Sequence, residues 1–477
     1  MLLKGTLVHC PRVGKVEILE NHLLAVNHEG FITHVGPLAS EESTHILRSK
    51  GDYETLITIP DGSFLLPTFC DLHLHAPQYL YQGTGLHLPL MQWLDEYAYK
   101  AEEKLDADLD LAKQVYTKLA QRLIEHGTGA VLLFGTIREE TNLALAEVMQ
   151  AAGIRAFVGK LSMDISSRPT YREASTQSAL SSARSFVHRC KELTSSLPAH
   201  ERLVQPVVTP RFVPTCTNEL LAGLGQLAQE QGVMIQSHMA EAHDQVEWVK
   251  NERGAQDTEI LEKSNLITPR AIFAHCTFLD PLQLSRLAGK GTSVAHCPLS
   301  NSYFSEKPFE LASAISSQIK VGLGSDIAGG YTVDIMHAMR QAVVVSRMKA
   351  GLARAAWFEA RQLVEQSSSC PHSGDELEPR TQTVDWTETL YLSTRGGAEA
   401  LGLQGGVFAV GGSFDAQQIR IFDQATEYGV GPIDFFREAE EGERKIDLGV
   451  LEKWWCIGDS RNRTAMWVQG KQLLPTA

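Results

Sequence analysis

Two histidines separated by one residue, His73 and His75, lie at the end of an apolar stretch of the chain. Residues i and i+2 of a β-strand point to the same side, so both imidazoles would approach one point in space. Imidazole nitrogens placed in this way suit a Zn²⁺ or Fe²⁺ ion. The pattern is short enough to arise by chance. Taken alone, it leaves two ordinary core or surface histidines as an equal alternative.

Three more polar residues, His238, His275 and Asp326, end later apolar runs. His238 adds a third imidazole, and Asp326 adds a carboxylate that can orient a water molecule and accept its proton. His275 either binds the metal or donates a hydrogen bond to the water and to the developing oxyanion, and we favour the second role. Barrel enzymes collect their chemistry at the carboxyl ends of the strands. The set therefore predicts a metal-dependent hydrolase.

A carboxylate follows His238 by three residues, at Glu241, where the strand gives way to the next helix. There it can move protons between water, a ring nitrogen and a leaving group. The alternative is a glutamate that is merely favoured by the dipole at a helix N-terminus. Because the predicted metal site lies beside it, we expect Glu241 to be catalytic.

Two other residues leave alternatives open. Lys160, in the third apolar run, is either carboxylated to bridge two metal ions or paired with a nearby carboxylate such as Asp164; we favour the pair and a single metal. His296 either lines the pocket or packs in the core. Cys276 and Cys297 lack a nucleophile-elbow context, so we expect them to have packing roles.

Eight apolar runs of strand length alternate with amphipathic stretches in the middle of the chain. Near-continuous apolar runs are typical of parallel strands buried on both faces. Their alternation with helices predicts an α/β fold, a closed (β/α)₈ TIM barrel. Residues 218–231, for example, place four leucines at helical spacing. The runs are Leu65–His73, Gly129–Phe134, Ile154–Met163, Leu203–Thr209, Val233–His238, Ala271–His275, Ser293–His296 and Val321–Asp326.

Both chain ends contain short β-rich runs separated by turn residues. We expect them to form one small β-sandwich domain, residues 1–65 with 403–477, beside a barrel domain of residues 66–402. The alternative is two separate β flaps. A polar, turn-rich segment at 367–382 is expected to be an exposed insertion.

Composition excludes several classes of partner. The 43 Lys and Arg residues against 57 Asp and Glu residues give a net charge of −14, and without a basic stripe nucleic acid is not expected. The eight cysteines are scattered without C-x-x-C spacing, which favours reduced thiols. We find no secretion signal and no apolar run near the ~18 residues of a membrane span. We therefore expect a cytoplasmic protein with no membrane partner.

The order His-x-His, His-x-x-Glu, His and Asp resembles the amidohydrolase superfamily, in its single-metal deaminase branch. Six longer stretches between about residues 60 and 412 narrow the resemblance to the guanine deaminases. These stretches are His73-Leu74-His75-Ala76-Pro77-Gln78-Tyr79, Leu88-Pro89-Leu90-Met91-Gln92-Trp93-Leu94, Thr209-Pro210-Arg211-Phe212, Ser237-His238-Met239-Ala240-Glu241, Ala295-His296-Cys297-Pro298-Leu299-Ser300-Asn301 and Gly322-Leu323-Gly324-Ser325-Asp326-Ile327-Ala328-Gly329-Gly330.

The resemblance implies one zinc ion per chain and a homodimer. The metal ligands that it implies are His73, His75, His238 and Asp326. The substrate contacts that it implies are Gln78, Arg211, Phe212, His238, Glu241 and Asp326. The catalytic residues that it implies are Glu241, Asp326 and His275.

The activity implied is hydrolytic deamination of guanine to xanthine and ammonia, in purine catabolism or salvage. Arg211 offers a rigid fork of donors, Gln78 both donates and accepts, and Phe212 offers a stacking face. Trp93 and Tyr97 form either a lid or ordinary helix packing. Two alternatives remain open: a related deaminase or hydrolase acting on a pterin, 8-oxoguanine, cytosine or a triazine, and a non-enzymatic scaffold.

Overall fold

The structure is a computed structural model that describes residues 1–49, 55–367, 382–426, 428–436 and 445–475. Its strands are β1 Leu2–Arg12, β2 Lys15–Val26, β3 Ile32–Pro37, β4 Leu56–Thr58, β5 Ser63–Pro67, β6 Phe69–His75, β7 Thr128–Phe134, β8 Arg155–Ser162, β9 Val204–Pro210, β10 Met234–Met239, β11 Ala271–His275, β12 Ser293–His296, β13 Lys320–Leu323, β14 Ala416–Arg420, β15 Arg463–Val468 and β16 Lys471–Leu474. Its helices are α1 Glu41–Arg48, α2 Leu90–Trp93, α3 Tyr99–Ala107, α4 Leu109–Glu125, α5 Glu139–Ala152, α6 Thr176–Leu193, α7 Asn218–Gln231, α8 His243–Arg253, α9 Asp257–Lys263, α10 Pro281–Gly289, α11 Pro298–Phe304, α12 Leu311–Ser316, α13 Ile335–Ser367, α14 Trp386–Ser393, α15 Arg395–Ala400 and α16 Leu448–Ile457.

Strands β6 to β13 form a parallel sheet in sequence order, and it closes into the predicted barrel. All residues of β6, β7, β11 and β12 are buried, as the apolar runs require. The two ends of the sheet meet just beyond β13. There the Asp326 N–H donates to the His73 carbonyl at 2.8 Å, and the His75 N–H donates to the Ile327 carbonyl at 3.1 Å. The last strand thereby brings Asp326 to the end of the first.

The run Leu65–His73, predicted as one strand, is two strands in different sheets. Strand β5 pairs with β1 and β14, whereas β6 pairs with β7, and Thr68 lies between them. Both strands are buried along their whole length, so the apolar pattern passes across the junction without a break. Because side chains are equally buried in either sheet, the sequence cannot show where β5 ends and β6 begins. Only the strand pairing distinguishes the two strands.

Strands from the two chain ends lie together, as predicted, but where a β-sandwich of two sheets was predicted they form one sheet. Its order is β16-β15-β14-β5-β1-β2-β3, with β4 paired to β1, so strands from both termini are adjacent through the β14–β5 pair. A salt bridge joins this sheet to the barrel, since the Arg155 guanidinium at the start of β8 donates to both Asp415 oxygens at 2.7 and 3.0 Å. The limits 1–65 with 403–477, and 66–402, stay predictions.

Helix α7 coincides with the predicted amphipathic stretch. The Thr217 hydroxyl caps its start by accepting from the Leu220 N–H, and Gly232 ends it at φ 65°, where a side chain would be strained. No helix among the described ranges is long and apolar enough to cross a membrane. The seven cysteines that the structure describes are all free thiols. Most of the predicted insertion, residues 368–381, lies outside the described residues.

Candidate active site

Four side chains from three strand ends meet at the carboxyl end of the barrel. The Nε2 atoms of His75 and His238 lie 3.0 Å apart. Asp326 Oδ1 lies 3.1 Å from His73 Nε2 and 3.7 Å from His75 Nε2. All four residues are buried. The structure therefore brings together the four residues that were predicted to bind a metal.

The chemistry of this cluster fits a divalent metal ion. Zinc–nitrogen bonds of 2.0–2.1 Å at tetrahedral angles place neighbouring ligand atoms about 3.4 Å apart, within the spread of the three separations. Burial lowers the pKa of His75 and of His238 well below the ordinary value, so both imidazoles are neutral and offer lone pairs, as ligation requires. The buried Nε2 of His73 faces Asp326 Oδ1, another predicted ligand atom, at 3.1 Å.

His275 lies between the two candidate proton carriers. Its Nε2 is 3.5 Å from Glu241 Oε1 and 3.7 Å from Asp326 Oδ2. On the other side of the ring, Nδ1 lies 2.8 Å from Asn301 Oδ1, to which it donates a hydrogen bond. A neutral His275 then presents a lone pair on Nε2 and a protonated one presents an N–H. The position of Nε2 suits either ligation or a hydrogen bond.

Glu241 is placed to hold a proton near neutral pH. Its side chain is buried, and burial raises the pKa of its carboxyl to about 7, with His275 lowering it and Asp326 raising it. Its backbone N–H donates to Gln245 Oε1 at 2.9 Å, and this hydrogen bond fixes the connection between β10 and α8. A carboxyl group with a pKa near the working pH is well suited to general acid–base chemistry.

Backbone strain marks the same strand ends. Ala240, His275 and Asp326 adopt φ values of 47°, 71° and 50°, in the left-handed region that non-glycine residues rarely occupy. Such conformations persist where the surrounding structure holds them in place, and they cluster at active sites. Here the strain turns the backbone so that side chains from β10, β11 and the end of β13 face one centre.

A small cavity of about 20 Å³ opens beside the cluster. That volume holds about one water molecule, so the wall has to widen before a planar heterocycle enters. All six predicted substrate contacts line it, together with Trp93, whereas Tyr97 does not line it and packs against Tyr81. A larger cavity of about 600 Å³ beside the terminal sheet contains none of the predicted site residues. The lining residues of the small cavity are His75, Gln78, Leu90, Trp93, Leu94, Arg211, Phe212, His238, Glu241, Ser300, Phe304, Asp326 and Gly329.

The sequence pattern of the amidohydrolase family matches residues 64–473. This chain belongs to the amidohydrolase family. The predicted resemblance is thereby confirmed, and it extends through the barrel into the C-terminal strands.

Several relatives of this amidohydrolase carry the name guanine deaminase. The Dictyostelium discoideum protein of that name is 35% identical, with 99% of this chain and 98% of the relative covered. The human guanine deaminase is 32% identical over 99% of this chain and 96% of its own length. The crystal structure of the guanine deaminase from C. acetobutylicum with bound guanine superposes with a TM-score of 0.81, at 26% identity and 99% coverage of both chains.

Two residues with open roles lie away from the centre of this amidohydrolase site. The Lys160 ammonium donates to Glu173 Oε1 at 2.7 Å and to the Leu161 carbonyl at 2.9 Å, so its partner is Glu173 and not Asp164. His296 is buried against Phe309, with ring centroids 5.1 Å apart, and burial lowers the pKa of its imidazole to about 3. The contacts favour structural roles for both.

The buried cysteines have the properties of packing residues. Burial raises the pKa of Cys297 and of Cys276 above the ordinary thiol value. Cys297 does lie near His73, His275 and Asp326, in an arrangement that could itself hold a metal ion. A thiol with a raised pKa is a poor nucleophile, so neither residue fits covalent catalysis.

Sequence reasoning missed two polar residues of the site. Glu102, fully buried on α3, binds both terminal nitrogens of Arg211, and Asn301 binds His275. Glu102 could have been noticed, because it interrupts the apolar face of α3 between Tyr99 and Leu105. A carboxylate on a buried helix face indicates a partner cation.

Proposed function

We propose that this amidohydrolase deaminates guanine to xanthine and ammonia, with one zinc ion held by His73, His75, His238 and Asp326. The observation that carries the proposal is the shared cavity. Ligand-competent imidazoles and the donors of Arg211 line the same small space. The guanine deaminase names of its relatives support the choice of substrate.

Zinc bound at this cluster would supply a water molecule whose pKa is lowered from 15.7 toward ~7. Asp326 accepts the proton of the attacking water, because its carboxylate lies within the ring of imidazoles. Glu241, with a pKa of about 7, carries a proton to the ring nitrogen next to C2 and then to the departing amine. His275 forms a hydrogen bond through Nε2 to the attacking oxygen and stabilises the tetrahedral centre that forms at C2, while Asn301 holds its Nδ1 at 2.8 Å.

Three residues of the cavity wall select the substrate. Arg211 presents N–H donors to the carbonyl edge of the purine. Gln78 offers a donor and an acceptor to a ring edge that carries both kinds of group. Phe212, which is buried with its ring centroid 6.2 Å from that of His238, supplies a flat apolar face. A planar, uncharged ring with a carbonyl group satisfies all three.

The decisive experiment is ammonia release by the purified protein, with metal analysis, across guanine, adenine, cytosine, a pterin and 8-oxoguanine. We expect guanine to give the largest kcat/KM and the protein to contain one zinc ion per chain. A larger kcat/KM for the pterin or for 8-oxoguanine would assign the site to a different heterocycle. Absence of ammonia from all five substrates with zinc in place would contradict the deaminase assignment.

We also propose a cytoplasmic homodimer with no membrane or nucleic-acid partner. The free thiols among the described residues support this location, the negative charge argues against nucleic acid, and the resemblance supports the dimer. Light scattering on the purified chain tests the dimer, since a monomeric mass would contradict it. Limited proteolysis tests the proposed domain limits, 1–65 with 403–477 and 66–402.

A further inference from the structure

Behind the cavity wall lies a buried carboxylate with no place in the mechanism. Glu102 has no exposed surface and is not among the residues that line the cavity. It comes from α3 and contacts Arg211, which does line the cavity.

Glu102 binds two of the predicted substrate contacts, Arg211 and Gln78, at once. Both of its oxygens accept from the Arg211 guanidinium, with Nη2 at 2.9 Å from Oε1. The same Oε1 accepts from Gln78 Nε2 at 3.1 Å, and Gln78 Oε1 in turn accepts from the Ala328 N–H at 3.0 Å. The Tyr99 ring lies 4.8 Å from the guanidinium carbon. Arg211 and Gln78 are thereby held in one orientation.

Glu102 also cancels the charge that Arg211 would otherwise bring to the cavity. The guanidinium is 1% exposed, so water does not screen it. Burial by itself lowers the pKa of Arg211, but the neighbouring Glu102 carboxylate outweighs this, and the pKa lies above its ordinary value. The bidentate contact uses two of the five guanidinium N–H donors and leaves three that Glu102 does not occupy. The wall then offers hydrogen bonds without a net charge.

We propose that Glu102 is a positioning residue that fixes Arg211 and Gln78 and neutralises Arg211, so that the site takes an electrically neutral heterocycle in preference to an anionic one. The inference rests on the proposed function for the identity of the substrate, but the result that decides it is a ratio of two dissociation constants, which needs no turnover. Its failure and the failure of the deaminase assignment are therefore distinguishable.

The test compares the binding of hypoxanthine, which is uncharged at neutral pH, with that of urate, which is an anion. Isothermal titration calorimetry on the full, zinc-loaded chain gives Kd for each. In Glu102→Gln the Arg211 charge is unpaired. We expect the urate Kd to fall relative to the hypoxanthine Kd by about tenfold or more, since a buried unit charge acts strongly at an effective dielectric near 20. If Glu102 had only a structural role, Glu102→Gln would raise the Kd of both ligands by the same factor.

Glu103→Gln is the matched control on the same helix. Glu103 pairs with Arg168 at 2.7 Å, but both side chains are 30% exposed, and we expect an unchanged Kd ratio. Glu102→Asp keeps the charge on a shorter side chain. It should therefore keep the wild-type ratio while lowering kcat/KM for guanine.

An unchanged ratio in Glu102→Gln would overturn the proposal. If that variant does not fold, the double variant Glu102→Gln with Arg211→Gln removes the unpaired charge and takes its place. Its ratio should then lie within about threefold of the wild-type ratio. A larger relative gain for urate in the double variant would also overturn the proposal.

Discussion

Replacement of Lys160 by methionine tests whether Lys160 has a structural role or binds metal. The Lys160 ammonium lies 2.7 Å from Glu173 Oε1, with the two side chains 1% and 7% exposed. Methionine fills a similar volume without charge, so the change leaves Glu173 buried and bound to the Met163 N–H at 3.0 Å. Removal of one partner of a buried ion pair costs about 3–5 kcal/mol, because the remaining charge is uncompensated.

The chain contains a matched exposed pair. Lys100 and Glu96 also lie 2.7 Å apart, but their side chains are 49% and 50% exposed. Water screens that pair, and such i,i+4 pairs contribute only ~0.3–0.5 kcal/mol. Urea unfolding of Lys160→Met and Lys100→Met at pH 8 should therefore give losses in the free energy of unfolding that differ by several-fold.

The loss in Lys160→Met should also depend on pH. Burial raises the pKa of Glu173 above its ordinary 4.5, and Lys160 opposes that rise. Without Lys160 the pKa rises further. A carboxyl whose folded-state pKa is raised stabilises the protein fully below its unfolded-state pKa, and that contribution is lost as the pH rises through the raised value. We expect the destabilisation to be smaller at pH 5 than at pH 8, while Lys100→Met shows little change.

Two results would refute this reasoning. Equal losses for Lys160→Met and Lys100→Met at pH 8 would mean that the buried pair is not the source of the stability. Loss of metal from folded Lys160→Met, measured per chain by elemental analysis, would make Lys160 a ligand and restore the two-metal alternative. We expect the metal content to equal that of the wild-type chain.

Three further predictions concern the site itself. Glu241→Gln and Asp326→Asn should each lower kcat by ~10²–10⁴ with the fold intact by circular dichroism, and retention of more than about a tenth of the rate would exclude the proton-transfer roles. Arg211→Lys should lower kcat/KM for guanine, because a point charge replaces a planar fork; an unchanged value would remove Arg211 from substrate selection. Asn301→Ala frees Nδ1 of His275 and should lower kcat more than it raises KM, so a change confined to KM would contradict an orienting role for Asn301.

The sequence by itself determined where the chemistry lies along the chain. Local patterns suffice for this: a period of two aligns His73 with His75, and the apolar runs mark strands whose carboxyl ends carry His238, His275 and Asp326. Strand order in a parallel barrel follows chain order, which the structure confirms. Residues at the ends of successive runs must then meet at one face, whatever separates them along the chain.

Only the tertiary structure decided which partner each buried charge has. Glu102 and Arg211 are 109 positions apart, and nothing local links them. Lys160 takes Glu173 and leaves the nearer Asp164 to other donors, because partner choice depends on the direction of each side chain in the packed barrel. The division of one apolar run into β5 and β6 has the same origin. The apolar residues of a strand predict that it is buried, but the identity of its neighbouring strand depends on how the whole chain packs.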